Sequence, residues 1–155
     1  MILDNNDLLQ SLRSDFTDVT FKPADSFAWQ AETHTVQFNP TDENWQQLLL
    51  HELGHASLNH TDYRSDIELL RFEAEAWEYA KQHLSLKYKV DLDDQLIESH
   101  KDSYRDWLHR RSRCPKCECG GWQTGRDQYK CPNCLSEWAV NSDKFKRVHR
   151  KLHKK

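Results

Sequence analysis

The stretch Leu48-Leu49-Leu50-His51-Glu52-Leu53-Gly54-His55 places the tightest limit on what this chain can fold into. Positions four apart share one face of an α-helix, so His51 and His55 can present two imidazoles to one metal ion, with Glu52 beside them. In a chain of this composition the pattern His-Glu-x-x-His arises by chance roughly 0.03 times, so an ordinary amphipathic helix explains it poorly. Zinc takes its ligands in a tetrahedron, and a site built for chemistry uses three protein ligands and leaves the fourth position to water. The stretch therefore predicts two zinc ligands, His51 and His55, with Glu52 as general base, and it requires a third ligand from elsewhere.

His60 is the nearest histidine, but it lies five residues after His55. The extended zinc signature of the metzincins places its third histidine six residues on, where this chain has Thr61. We expect His60 at the surface or behind a ligand. A carboxylate from the next helix is the better third ligand, because packing two helices together lets a glutamate complete a His₂Glu site. Ser65-Asp66-Ile67-Glu68 reads as a capping box, with Ser65 as N-cap. After it, Ile67, Leu70, Ala74, Trp77 and Leu84 recur at helical spacing. That helix carries Glu68, Glu73, Glu75 and Glu78, which spacing does not separate.

The rest of the N-terminal half can surround such a pair of helices. Residues 3–14, with Leu3, Leu8, Leu9 and Leu12, predict a short amphipathic helix. Val19-Thr20-Phe21, Phe27-Ala28-Trp29 and Thr35-Val36-Gln37-Phe38 predict a small antiparallel sheet of three strands. Thr41 is the expected N-cap of the zinc helix. Gly54 inside that helix costs up to about 1 kcal/mol against alanine, which implies close packing against its backbone. His34 falls in a turn and reads as solvated.

All five cysteines of the 155-residue chain fall within residues 114–134. With an acidic, polar N-terminus and no run of about 18 apolar residues, we expect a cytoplasmic protein whose thiols bind metal rather than form disulfides. Cys114-Pro115-Lys116-Cys117 and Cys131-Pro132-Asn133-Cys134 resemble the two knuckles of a zinc ribbon, each giving two thiolates to one structural zinc. Cys119 is left over, as a free thiol or a competitor of Cys117. Trp122, Tyr129 and Trp138 would form the ribbon's apolar face or a contact surface.

Charge is distributed unevenly. Residues 1–60 hold two Lys/Arg against nine Asp/Glu, whereas residues 101–155 hold fifteen against six. The two ends should therefore meet different partners. Asp93 to Arg111 predicts a third long helix, and residues 141–155 predict a basic amphipathic helix with Phe145, Val148 and Leu152 in register. A ribbon with a basic tail is a nucleic-acid footprint, although an acidic protein surface would attract it too.

His51-Glu52-Leu53-Gly54-His55 followed by Glu73-Ala74-Glu75-Ala76-Trp77-Glu78-Tyr79-Ala80 resembles the ImmA/IrrE family of bacterial and phage metalloendopeptidases, which has a Glu-x-Glu-Ala-x-x-aromatic-Ala block after its zinc helix. The resemblance covers roughly residues 1–90. It implies His51, His55 and Glu75 as ligands of a catalytic zinc and Glu52 as general base. It also implies a protein substrate, a helix-turn-helix repressor of a prophage, mobile element or stress response. The chain departs from the family's block after Ala80, where the closing proline is missing, and in its cysteine-rich tail.

The expected architecture is α+β: a zincin-like metallopeptidase domain over residues 1–90, a helix over 91–112 that closes the core, a Cys₄ zinc ribbon over 113–139 and a basic tail over 140–155. His60 and Tyr63 are candidate oxyanion donors in the loop after the zinc helix. Two other functions fit parts of the pattern. SprT-like peptidases, which remove proteins crosslinked to DNA, also join a zinc helix to a ribbon, but their third ligand is a downstream histidine. A non-catalytic zinc-binding adaptor for nucleic acid or a repressor would have no need of Glu52.

Overall fold

A computed structural model describes residues 4–154. Leu3, which the sequence puts in the first helix, and Lys155 lie outside the described residues. The chain is α+β, with one three-stranded and one four-stranded sheet. Among the described residues no helix is long and apolar enough to cross a membrane. The chain divides into two units: one runs up to Asp62 and resumes over Phe72–Ile97, and the other comprises Tyr63–Arg71 and the chain from Glu98 onward. The second unit thus joins a short segment, Tyr63–Arg71, to the C-terminal part of the chain.

In the first unit, α1 (Asn5–Asp15) buries Leu8 and Leu12. The strands are β1 (Thr20–Pro23), β2 (Ala28–Gln30) and β3 (Thr35–Phe38). Their sheet is mixed rather than antiparallel, with order β1-β3-β2: β2 pairs antiparallel with β3, and β1 pairs parallel to it. The reason is burial. Thr35, Val36 and Phe38 are all buried, so β3 takes the centre, while Pro23, which cannot donate to a ladder, keeps β1 at an edge.

Helix α2 (Trp45–Ser57) lies against β3 and carries the His-Glu-x-x-His stretch. Thr41 does not cap it. Both its backbone N–H and its hydroxyl donate to the side-chain oxygen of Asn39, so the helix starts three residues later than expected, with Asn44 at the N-cap. Helix α3 spans Asp66–Tyr79, and its continuation, Ala80–Leu84, widens to π-helical geometry before the short α4 (Ser85–Tyr88). A Cβ on Gly54 would overlap the backbone carbonyl of Ala76, so glycine is what lets α2 approach the second half of α3 this closely. Leu49, Leu50 and Leu53 of α2 complete an apolar core with Leu8, Leu12, Val36, Phe38, Leu84 and Tyr88.

In the second unit, Ser65 caps α3 as expected, accepting from the Glu68 N–H at 3.1 Å. The Glu68 carboxylate reaches the Arg64 N–H, one residue beyond the partner a capping box would use. Helix α5 (Asp94–Ser112) precedes β4 (Trp122–Gly125), β5 (Gln128–Lys130), β6 (Glu137–Val140) and β7 (Arg150–Leu152), which pair in that order as antiparallel neighbours.

The basic tail is therefore not the expected helix. Leu152 pairs with Trp138 on the edge of the ribbon sheet, and Phe145 is 80% exposed. As a helix the tail would stack Lys144, Arg147 and Lys151 at like-charge spacings of three and four, whereas the β6 edge satisfies its backbone.

Candidate metal centres

The first centre is built where α2 meets the second half of α3. His51, His55 and Glu73 are all more than nine-tenths buried. His51 Nε2 lies 2.8 Å from one Glu73 carboxylate oxygen, His55 Nε2 lies 3.3 Å from the other, and the two imidazole nitrogens are 3.1 Å apart. Ligand atoms of a tetrahedral zinc bound at ~2.0–2.1 Å sit about 3.3 Å from one another, so this donor set fits zinc in number, chemistry and spacing. The indole of Trp77 stacks on the His51 ring at 4.3 Å and fixes its plane.

The carboxylate at this centre is Glu73, not the Glu75 that the family resemblance implied. Two residues along a helix is a turn of about 200°. Glu73 falls on the stripe of Leu69, Ala76, Trp77 and Ala80, all buried, while Glu75 points elsewhere and is 46% exposed. Of the residues expected on the packed face, Trp77 and Leu84 are buried, but Ile67 is 81% exposed and Ala74 is exposed too. An acid in line with Ala76, Trp77 and Ala80 was the signal that would have singled out Glu73. The other three carboxylates have other partners: Glu68 the Arg64 N–H, Glu75 the His60 ring and Glu78 the Gln82 amide.

Burial and the neighbouring charges pull against each other here. Burial alone would raise the Glu73 carboxyl, but hydrogen bonds from His51 and His55 outweigh it and hold the group well below the usual carboxylate range. Burial would likewise lower His55, which Glu73 and Glu52 instead hold above its ordinary value. Glu52, 8% exposed, is pushed up to about 7, chiefly by burial and further by Glu73, against the pull of His55 and of a hydrogen bond from the Trp29 backbone N–H.

The two candidate oxyanion donors are otherwise engaged. His60 is buried, with its ring nitrogens 2.9 Å from His55 Nδ1 and 3.0 Å from a Glu75 oxygen. Tyr63 belongs to the second unit, where Arg126 lies over its ring and burial raises its hydroxyl above the usual tyrosine value. His34 sits exposed in its turn, as expected.

The second centre gathers Cys114, Cys117, Cys131 and Cys134. The Cys114 and Cys134 sulfurs are 3.6 Å apart and those of Cys117 and Cys131 3.5 Å, beyond bonding and close to the roughly 3.8 Å between thiolates of one tetrahedral zinc. The knuckles repeat the same backbone bonds. Glu118 N–H donates to Cys114 O and Leu135 N–H to Cys131 O, while Cys114 N–H donates to Cys119 O and Cys131 N–H to Ser136 O. Cys119 lies exposed outside the group, so the C-x-x-C register selects Cys117.

Around this centre the second unit buries a polar network. The Arg111 guanidinium, fully buried, pairs with Asp127 and Asp66 and stacks on Trp107 at 4.2 Å. Tyr129, whose hydroxyl donates to Asp66, and Trp138 are buried beside the cysteines, whereas Trp122 is 62% exposed.

No known protein family model matches this sequence, and neither a curated protein nor a solved structure does.

Proposed function

We propose that the chain is a zinc-dependent endopeptidase of zincin type. The observation that carries this reading is the convergence of His51 Nε2, His55 Nε2 and the Glu73 carboxylate at zinc-ligand spacing, with the buried carboxyl of Glu52 beside them. A structural zinc has no use for Glu52, and burying an acid without need is costly. When bound there, zinc would acidify a water and polarise the scissile carbonyl. Glu52 takes the proton of the attacking water and delivers it to the leaving amine, the role of a carboxylate held beside the reacting water.

Strand β2 lies at the edge of its sheet, and the Trp29 N–H that reaches Glu52 brings that edge to the general base. A substrate in extended form would add to this edge by main-chain hydrogen bonds, which hold a peptide without selecting its side chains. Selection falls to the rest of the chain. The resemblance to ImmA/IrrE proteins points to a cytoplasmic regulatory protein, a helix-turn-helix repressor, as substrate. Independently of that resemblance, the four-cysteine ribbon and its basic edge strand Arg150–Leu152 suit contact with a nucleic acid.

Glu52→Gln tests the reading. The variant should keep its zinc and lose at least about 10²-fold in hydrolysis of a co-expressed repressor encoded beside this chain's own gene. Retained cleavage would remove Glu52 from the chemistry, and no cleavage by the wild type would leave a zinc-binding adaptor.

A further inference from the structure

The turn after α2 places a third histidine directly behind a ligand. The chain leaves the helix with Asn59 in the left-handed region, at φ 53°, and with two reversed bonds. Asn59 N–H donates to Ala56 O at 3.1 Å, and His60 N–H donates to His55 O at 3.0 Å. This is a Schellman turn, and asparagine is the residue after glycine that best tolerates its left-handed position. It brings His60 back under His55. Phe72 stacks on the His60 ring at 4.2 Å and 12°, and the Trp29 indole N–H donates to the His60 carbonyl at 2.9 Å, so ring and backbone are both held.

The hydrogens along this line have one consistent arrangement. If His55 Nε2 gives its lone pair to a metal, the neutral ring carries its proton on Nδ1. The 2.9 Å contact between His55 Nδ1 and His60 Nδ1 admits one hydrogen, so His60 Nδ1 accepts. The His60 proton is then on Nε2, where it donates to the Glu75 carboxylate at 3.0 Å. Each contact has one donor and one acceptor, and the line ends on an anion. A His60 with protons on both nitrogens would set N–H against N–H.

Building on the assignment of His51, His55 and Glu73 as the zinc ligands, we propose that His60 and Glu75 are positioning residues that lock His55 in its metal-binding tautomer through a carboxylate–imidazole–imidazole line. The Glu-x-Glu pair on α3 thereby divides its work: Glu73 faces the metal, and Glu75 orients the ligand from behind.

The test is zinc affinity of the full chain, measured by chelator competition, with amide hydrogen-exchange protection in α1 and β3 as the control for folding of the unit that holds His60. His60→Ala and His60→Leu should each weaken the histidine-bound zinc about 10–100-fold while the second zinc stays in place. His60→Asn, whose side-chain oxygen falls near the position of Nδ1 and can still accept, should recover most of the loss. Proton–nitrogen correlation spectra of the zinc-loaded wild type should place the His60 proton on Nε2 and the His55 proton on Nδ1. Wild-type affinity in His60→Ala, equal losses in His60→Asn and His60→Leu, or a His60 proton on Nδ1 would overturn the positioning role. A wild type that holds only the four-cysteine zinc would overturn the ligand assignment itself, and the positioning with it.

Discussion

The two ligand groups of this chain stand in opposite relations to the structure around them. His51, His55 and Glu73 are set into a unit with its own apolar core, in which Leu8, Leu12, Val36, Phe38, Leu49, Leu50 and Leu53 lie buried without any help from the ligands. Around the four-cysteine group the cysteines are themselves core residues: among the described residues Cys114 and Cys131 are buried in one cluster with Tyr129, Trp138 and Val140. A scaffold that is stable without its metal can hold ligands for an ion that does chemistry. A fragment too small to bury enough apolar surface must take its folding free energy from the ion.

Metal removal should expose this difference most strongly. Cys131→Ser should cost the ribbon on the order of 10 kcal/mol and unfold it, with amide hydrogen exchange reporting loss of protection across β4 to β7. His51→Ala should cost one zinc per chain by elemental analysis and leave protection in α1 and β3 intact. If chelation unfolded both units alike, the contrast would fail.

Within the first unit, Glu73→Ala should abolish the histidine-bound zinc, whereas Glu75→Ala should only weaken it; the reverse order would restore the assignment drawn from the resemblance. Close approach supplies a comparison of intermediate size. Gly54→Ala drives a methyl group into the Ala76 carbonyl and Gly121→Ala drives one into the Trp138 ring, so each should lower its own unit's stability by about 1–3 kcal/mol in denaturant titrations. The smallest effect concerns two left-handed residues, Asn59 at φ 53° and Leu135 at φ 62°. Leu135→Gly should stabilise the ribbon by up to about 1 kcal/mol, and Asn59→Gly should gain less, because asparagine tolerates this conformation and leucine does not. Equal gains in thermal unfolding would mean that Leu135 is not strained.

Local rules carried much of the reading. The spacing of four that brings His51 and His55 together, the repeated C-P-x-C knuckles, the Ser65 cap, the long helix from Asp94 and the close packing at Gly54 all follow from neighbours within a few residues. Where a decision lay between distant segments, local rules had less purchase. The parallel pairing of β1 with β3 depended on which strand would be buried on both sides, and the tail became a strand because β6 offered an edge.

By itself, the sequence determined that two imidazoles and four thiols would each gather at ligand spacing, because helix periodicity and knuckle turns are properties of the backbone over short range. Only the tertiary structure decided which of four glutamates would meet the histidines. That choice rests on the rotation of α3 against α2, set by Gly54 seating on Ala76, and a rotation of about 100° per residue separates Glu73 at the centre from Glu75 behind it. Residues 48–55 supply two imidazoles of the group, but the carboxylate that joins them and the histidine behind His55 came from packing.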